Sequence, residues 1–388
     1  MKNLPIRPLL CLVSLCALPT VSRAEPPNLF EFRAGAGVEH NTNVLASPTQ
    51  EQSDDISILS VGVKAERDFG LQHFKADVEY SKYYYRNLSN LDYSALNYAI
   101  ALDWRVTPAL HGVLGAEQRE FRDISDISGR SEIGVRTEHA ELAEAIYDID
   151  GAWRALAGIG HTATSSTVPL TWDASPTVRS WRVGGGYEWA SGSSLFARFR
   201  RGDGEYQAAV LPLNPGGFRE DEAELLFKWA LTGKTTLDAR LAHLDRQHPD
   251  APIRDFSGPV GSAAVNWEAT GKTRVIAGAY SDLGSSGIQT GGHVRSNRFF
   301  IGPVWRATAH TTVNARYDRI ARSWQDILPG LPQSGRRDTI QIGTIGVDWT
   351  PRRIVTVSAS VRGERVDSNV PGASYRNTAV GLAVKVSI

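Results

Sequence analysis

Arginine outnumbers lysine by 34 to 8 in this chain, and much of it recurs at alternate positions with carboxylates close by. A planar guanidinium grips a carboxylate, sulfate or phosphate through two hydrogen bonds, where lysine offers only a point charge. The arginines in this pattern are Arg105, Arg182, Arg198, Arg200, Arg240, Arg274, Arg298, Arg306, Arg316 and Arg362, and the acids among them are Asp103, Glu188, Asp238, Asp318 and Asp348. Two kinds of chemistry fit. A ladder of forks could pass an anionic chain from one weak site to the next, as charged rings do in other pores. The same residues could instead pair across neighbouring strands and brace a wall. Basic and acidic residues are equal at 42 each, which favours local neutralisation, and both arrangements can hold at once.

Other chemistries find little footing. The sequence contains no G-x-S-x-G elbow, no HExxH and no P-loop. Nine histidines are scattered without a close ligand pair, and both cysteines, Cys11 and Cys16, lie in the N-terminal segment. No catalytic, cofactor or metal site is therefore expected, and an enzyme is not.

The charged residues sit in segments of strict alternation. Leu96, Tyr98, Ile100, Leu102 and Trp104 share one parity, and Asn97, Ala99, Ala101, Asp103 and Arg105 the other. That period of two marks a strand, not a helix. Val313, Ala315 and Tyr317 oppose Asn314, Arg316 and Asp318 in the same way, and Val355, Val357, Ala359 and Val361 oppose Thr356, Ser358, Ser360 and Arg362. Six strands end alike, in a tryptophan of oily parity followed by a short polar turn: Trp104, Trp189, Trp229, Trp267, Trp305 and Trp349. Six equivalent tryptophans suit the interfacial girdle of a transmembrane barrel, with the indole body in lipid and its N–H at the headgroups. A propeller with blades of about 40 residues would also repeat aromatics, but each repeat here has room for two long strands, not four short ones.

Tight turns near Asp68, Thr107, Asp150, Ser191, Thr232, Thr270, Thr308 and Pro351 alternate with nine longer polar connections, the third spanning Asp123 to Gly129. Counting both gives an antiparallel barrel of about 18 strands, within a range of 16 to 18, with short periplasmic turns and longer extracellular loops. The mean hydropathy of −0.25 excludes a helical membrane protein but not a barrel with a wet lumen.

Lys2 and Arg7 precede an apolar run from Leu9 to Leu18, and Val21-Ser22-Arg23-Ala24 offers small residues where a signal peptidase reads. The expected organisation is a signal peptide over 1–24 and one barrel over 25–388, in the outer membrane of a Gram-negative bacterium. Without Lys2, Arg7 and Arg23 the remainder carries 39 basic against 42 acidic residues, so nucleic acid is not an expected partner. Val380, Leu382, Val384, Val386 and Ile388 alternate to the last residue, as a terminal strand read by the barrel-assembly machinery does.

Taken together, the leader, the opening strand LFEFRAGAGVEHNTNVLAS, the tryptophan hairpins and the alternating terminal strand resemble EpsL-type outer-membrane proteins of exopolysaccharide biosynthesis operons. That group belongs to a β-barrel porin superfamily and is associated with exosortase systems. Its nearest thing to a fingerprint here is Glu39-His40-Asn41-Thr42-Asn43-Val44. The resemblance implies a passive conduit for a secreted polysaccharide, working with outer-membrane lipid and a periplasmic polysaccharide export machinery. It transfers no ligand residues. A general diffusion porin, or a structural or adhesive surface barrel, are the alternatives. Tyr83, Tyr84, Tyr85, Tyr206 and Trp324 beside long loops could stack on sugars or join the outer girdle.

Overall fold

The computed structural model describes residues 30–127, 130–167, 176–206, 216–285, 292–327, 329–330 and 334–388. The proposed leader and its cleavage after Ala24 lie outside the described residues, as do most of the connections around 168–175, 207–215 and 286–291.

Alternating segments pair with their sequence neighbours, because a short turn leaves the next strand no nearer partner. The result is a sheet of eighteen antiparallel strands: β1 (Phe30–Asn41), β2 (Asp54–Phe69), β3 (Gln72–Tyr85), β4 (Tyr93–Arg105), β5 (Leu110–Ile127), β6 (Arg130–Asp148), β7 (Trp153–Ser166), β8 (Pro176–Glu188), β9 (Ser194–Tyr206), β10 (Gly217–Thr232), β11 (Thr235–Gln247), β12 (Phe256–Thr270), β13 (Thr273–Ser285), β14 (His293–Arg306), β15 (Thr311–Gln325), β16 (Arg337–Arg352), β17 (Val355–Ser368) and β18 (Tyr375–Ser387). β1 pairs with both β2 and β18, from Arg33↔Ser387 to Asn41↔Ala379 on the second edge. That last pairing removes both free edges and closes the barrel.

Cross-strand partners share a face, so the register divides the wall into an outside and a lumen. Outside, Leu59, Val61, Ile159, Val183, Leu225, Leu241, Ile345 and Leu382 are all exposed, an apolar band no globular protein leaves bare. On β8 and the turn after it, the outward residues from Trp189 to Trp181 are apolar or glycine, and Arg179 follows. The eight steps from Trp189 to Trp181 span about 26 Å along the strand at about 3.3 Å each. A tilt of about 40° brings this to about 20 Å of height, close to the lipid-facing band of membrane barrels. Beyond the band, at the loop end, the outer face becomes charged: Arg201 donates to Asp221 at 2.6 and 2.7 Å, and Arg219 approaches Asp203 at 3.4 Å.

One connection departs from expectation. The stretch from Asp123 to Gly129 was expected to be a loop, but β5 runs on to Ile127 and pairs with β6 as far as Ile127↔Arg130. β4 leaves β5 after Tyr98↔Gln118, so the end of the β5–β6 hairpin projects beyond its neighbour. It leans inward: Ile133 packs on Val44, Ile56, Tyr85 and Leu91 at the inner rim, while the Arg122 guanidinium lies over Tyr85 and Tyr93 and donates to the Leu91 carbonyl.

Candidate functional site: a charge-paired lumen

Glutamates at 220, 222 and 224 recur every second residue on β10, so all three side chains leave the same, lumenal face. β9 supplies Arg198 and Arg200 opposite Glu224 and Glu222 in register, and β11 supplies Arg240 and Arg246. Pairing is complete on the acidic side. Arg200 donates to Glu222 at 2.9 Å and to Glu220 at 3.0 Å. Arg198 and Arg240 both bind Glu224, Arg240 also binds Glu222, and Arg246 binds Glu220. The three glutamates are 4 to 5% exposed, so each charge is held by its partners and not by water. Alternation in the sequence makes these three residues and Arg246 readable as lumenal, yet only the register shows that they form one lattice.

Arg182, next to this lattice on β8, is less well matched. It faces Arg200 in register, and its carboxylate neighbour Glu144 stands 3.9 Å away and lies 3.6 Å from Arg198 as well. At 5% exposed, this guanidinium adds a positive excess to the wall.

The remaining arginines of the ladder also face the lumen. Arg298 and Arg316 converge on Asp318 at 2.8 Å each, and Arg362 binds Glu364. Arg105, Arg274 and Arg306 face inward near the turn end, exposed and outside any ion pair among the described residues. Of the acids, Glu188 binds Arg154, Asp103 lies 3.8 Å from Lys75, Asp238 faces Lys228 in register, and Asp348 accepts from Ser358 at 2.6 Å and Asn314 at 3.2 Å. Local bracing is thus the dominant arrangement, with cations in excess of nearby carboxylates at Arg182, which shares Glu144 with Arg198, and at the turn-end rim.

All six recurring tryptophans lie on the outer face at the turn end. Trp189, Trp229, Trp267, Trp305 and Trp349 are 42 to 51% exposed, and Trp104 is half-buried. They do not touch the lumen. The aromatic residues near the loops behave differently. Tyr84 points outward, but Tyr83 and Tyr85 face the lumen, and their ring faces are occupied: Tyr83 stacks on Tyr93 at 4.4 Å and Arg122 covers Tyr85. Arg336 covers Trp324 at 4.6 Å. Tyr206 is buried, its hydroxyl 3.0 Å from His248 Nε2 and its ring under the Arg254 guanidinium. Burial pushes the pKa of His248 down to about 4, with the Arg246 charge lowering it further and Asp255 opposing.

Residues 227–388, fewer than half of the chain, match the family model described as "Putative beta-barrel porin 2". No curated protein matches the chain. Three solved structures from Pseudomonas aeruginosa resemble it in fold. OccK1 (OpdK) has a TM-score of 0.50 at 13% identity, with 92% of this chain and 99% of that one covered. OccK2 (OpdF) scores 0.52 at 12%, over 92% and 98%, and OccK3 (OpdO) 0.50 at 12%, over 92% and 96%. At such identities the likeness is one of architecture: the chain is a closed, porin-like, eighteen-stranded antiparallel barrel.

Proposed function

We propose that the chain is an outer-membrane channel for passive diffusion of small hydrophilic solutes, with a preference for anions. The apolar outer band carries its placement in a bilayer. The observation that carries the selectivity is Arg182, a guanidinium in the lumen wall facing Arg200 with one shared carboxylate within 4 Å. Around it the paired lattice offers successive polar contacts, each weak because its members already have partners, and weak multiple sites suit conduction. On this reading residues 1–24 are the export signal, the tryptophan rim faces the periplasm and the long hairpins face outward.

Planar-bilayer recording of the purified barrel tests the reading. Steady conductance with modest anion selectivity is expected, and Arg182→Glu should move the reversal potential toward cations. Vanillate, with which OpdK was crystallised, is a convenient small carboxylate probe. A silent bilayer would instead support a structural barrel.

Export of an extracellular polysaccharide is the second reading, supported by the resemblance of the opening strand and its Glu39 to Val44 segment to exopolysaccharide-operon proteins. It predicts concentration-dependent block by acidic oligosaccharides in the same recordings, and unhindered small-ion current in their presence would overturn it.

A further inference from the structure

His139 and Glu141 are two residues apart on β6 and so leave the same, outer face of the wall. On β7, His161 is the register partner of Glu141. The sequence spacing of 139 and 161 shows no ligand pair, but the hairpin brings the three side chains together. His139 Nε2 stands 3.0 Å from Glu141 Oε1, and His161 Nδ1 stands 3.6 Å from Glu141 Oε2. One ligand atom from each residue lies within 4.8 Å of the others.

Tyr98 of β4 adds an independent constraint. Its hydroxyl is 3.0 Å from His139 Nδ1. The contact at Nδ1 fixes the ring and turns Nε2 toward Glu141, the orientation common among metal-binding imidazoles, and a bound cation would replace the Nε2 proton now shared with Glu141. Tetrahedral zinc, with bonds of about 2.0–2.1 Å, needs ligand atoms about 3.3 Å apart. The imidazoles reach one Glu141 oxygen each, at 3.0 and 3.6 Å, and one ligand atom per residue lies within 4.8 Å of the others, close enough for small side-chain rotations to complete the set.

We propose that His139, Glu141 and His161 form a site for a divalent transition metal such as Zn2+ on the outer surface of the barrel. Two imidazoles select the borderline metals over Ca2+ and Mg2+, which take oxygen ligands. Three protein ligands leave a fourth position to water. The level of the site fits: Tyr98 lies six residues above Trp104 on β4, Gln118 shares its row and Arg179 is the register partner of His161, so the site stands at the loop-end margin of the apolar band, within reach of water. Arg179 brings a positive charge toward the metal and should weaken binding, while Tyr98 supports it.

Isothermal titration of Zn2+ into the folded barrel in detergent micelles tests the site. One Zn2+ per chain is expected, with at least a tenfold loss of affinity in the double variant His139→Gln/His161→Gln, a smaller loss in Tyr98→Phe and a gain in Arg179→Gln. Heat-modifiable migration on gels reports whether each variant is folded. Should the double variant fail to fold, the electron paramagnetic resonance spectrum of the wild-type barrel with one equivalent of Cu2+ decides: hyperfine structure from two imidazole nitrogens supports the site. Absence of stoichiometric binding, affinity unchanged in the folded double variant, or a copper spectrum without two nitrogens would each overturn it.

Discussion

Asn43, two residues beyond the end of the first strand, donates its backbone N–H to the Oδ1 of Asn377 on the last strand at 3.3 Å. Around this contact the two strands are riveted. Asn43 Nδ2 donates to the Arg376 carbonyl at 2.9 Å and to that of Ser47 at 2.8 Å, and its Oδ1 accepts from the Ser47 N–H at 2.9 Å. Thr42 and Thr378 exchange two further bonds of 2.9 Å. The Asn-Thr-Asn segment that stands out in the sequence is thus a clasp on the seam where the barrel closes.

Asn43 is fully buried, so Asn43→Ala removes three side-chain hydrogen bonds and strands their partners. At about 1 kcal/mol per bond, with more for groups left unsatisfied, the variant should lose about 3 kcal/mol. Urea unfolding in detergent, followed by heat-modifiable migration, measures it. A loss below about 1 kcal/mol would mean that the seam is held by the β1–β18 ladder alone.

The wall itself was legible because lumen and lipid impose opposite demands on successive residues, so Leu96 to Arg105 reads as a strand with both faces labelled. The partners of each charge were not legible. Which glutamate meets Arg240 depends on register, and register depends on turns whose irregularities, such as that between Ala230 and Thr232, leave little trace in composition. The Asp123 to Gly129 stretch misled for a related reason: a hairpin projecting beyond its neighbour is polar enough to resemble a loop. Tyr206 meets His248 across 42 residues, a contact no local pattern encodes.

Glu220 shows what the lattice is worth. It accepts from Arg200 and Arg246, and Arg246 is 2% exposed. Glu220→Gln leaves a buried guanidinium without its counter-charge, which costs about 3–5 kcal/mol in such settings. Replacing both members, as in Glu220→Met/Arg246→Met, should cost less than the single change. A double variant weaker than Glu220→Gln would show that the pair contributes net stability beyond its own desolvation.

Depth along the outer face predicts a gradient. Leu241, 68% exposed, lies within the apolar band, and Leu241→Arg should destabilise the barrel in lipid vesicles by about 2–4 kcal/mol. His243, two residues toward the loops on the same face, already meets Ser257 at 2.9 Å, and His243→Arg should cost only about 0–1 kcal/mol. Equal penalties at the two positions would contradict a bilayer boundary between them.

At the loop end, His248 ties the connection after β11 to Tyr206, and its pKa of about 4 makes that tie pH-dependent. The folded state holds the proton more weakly than a free imidazole near 6.5, so the open state binds more protons. Stability is therefore full above about pH 6.5 and is lost as pH falls toward 4, by about 3 kcal/mol in all. The Arg254 guanidinium over the Tyr206 ring is lowered only to about 10 and stays charged throughout, so it adds no step in this window. Protection factors against hydrogen exchange at residues 248–255, corrected for the intrinsic pH dependence of exchange, should fall between pH 6.5 and 4 in the wild type. His248→Gln, which cannot titrate, should lack that fall, while the carboxylates elsewhere respond alike in both proteins. An identical pH profile in the variant would detach the loop from His248 altogether.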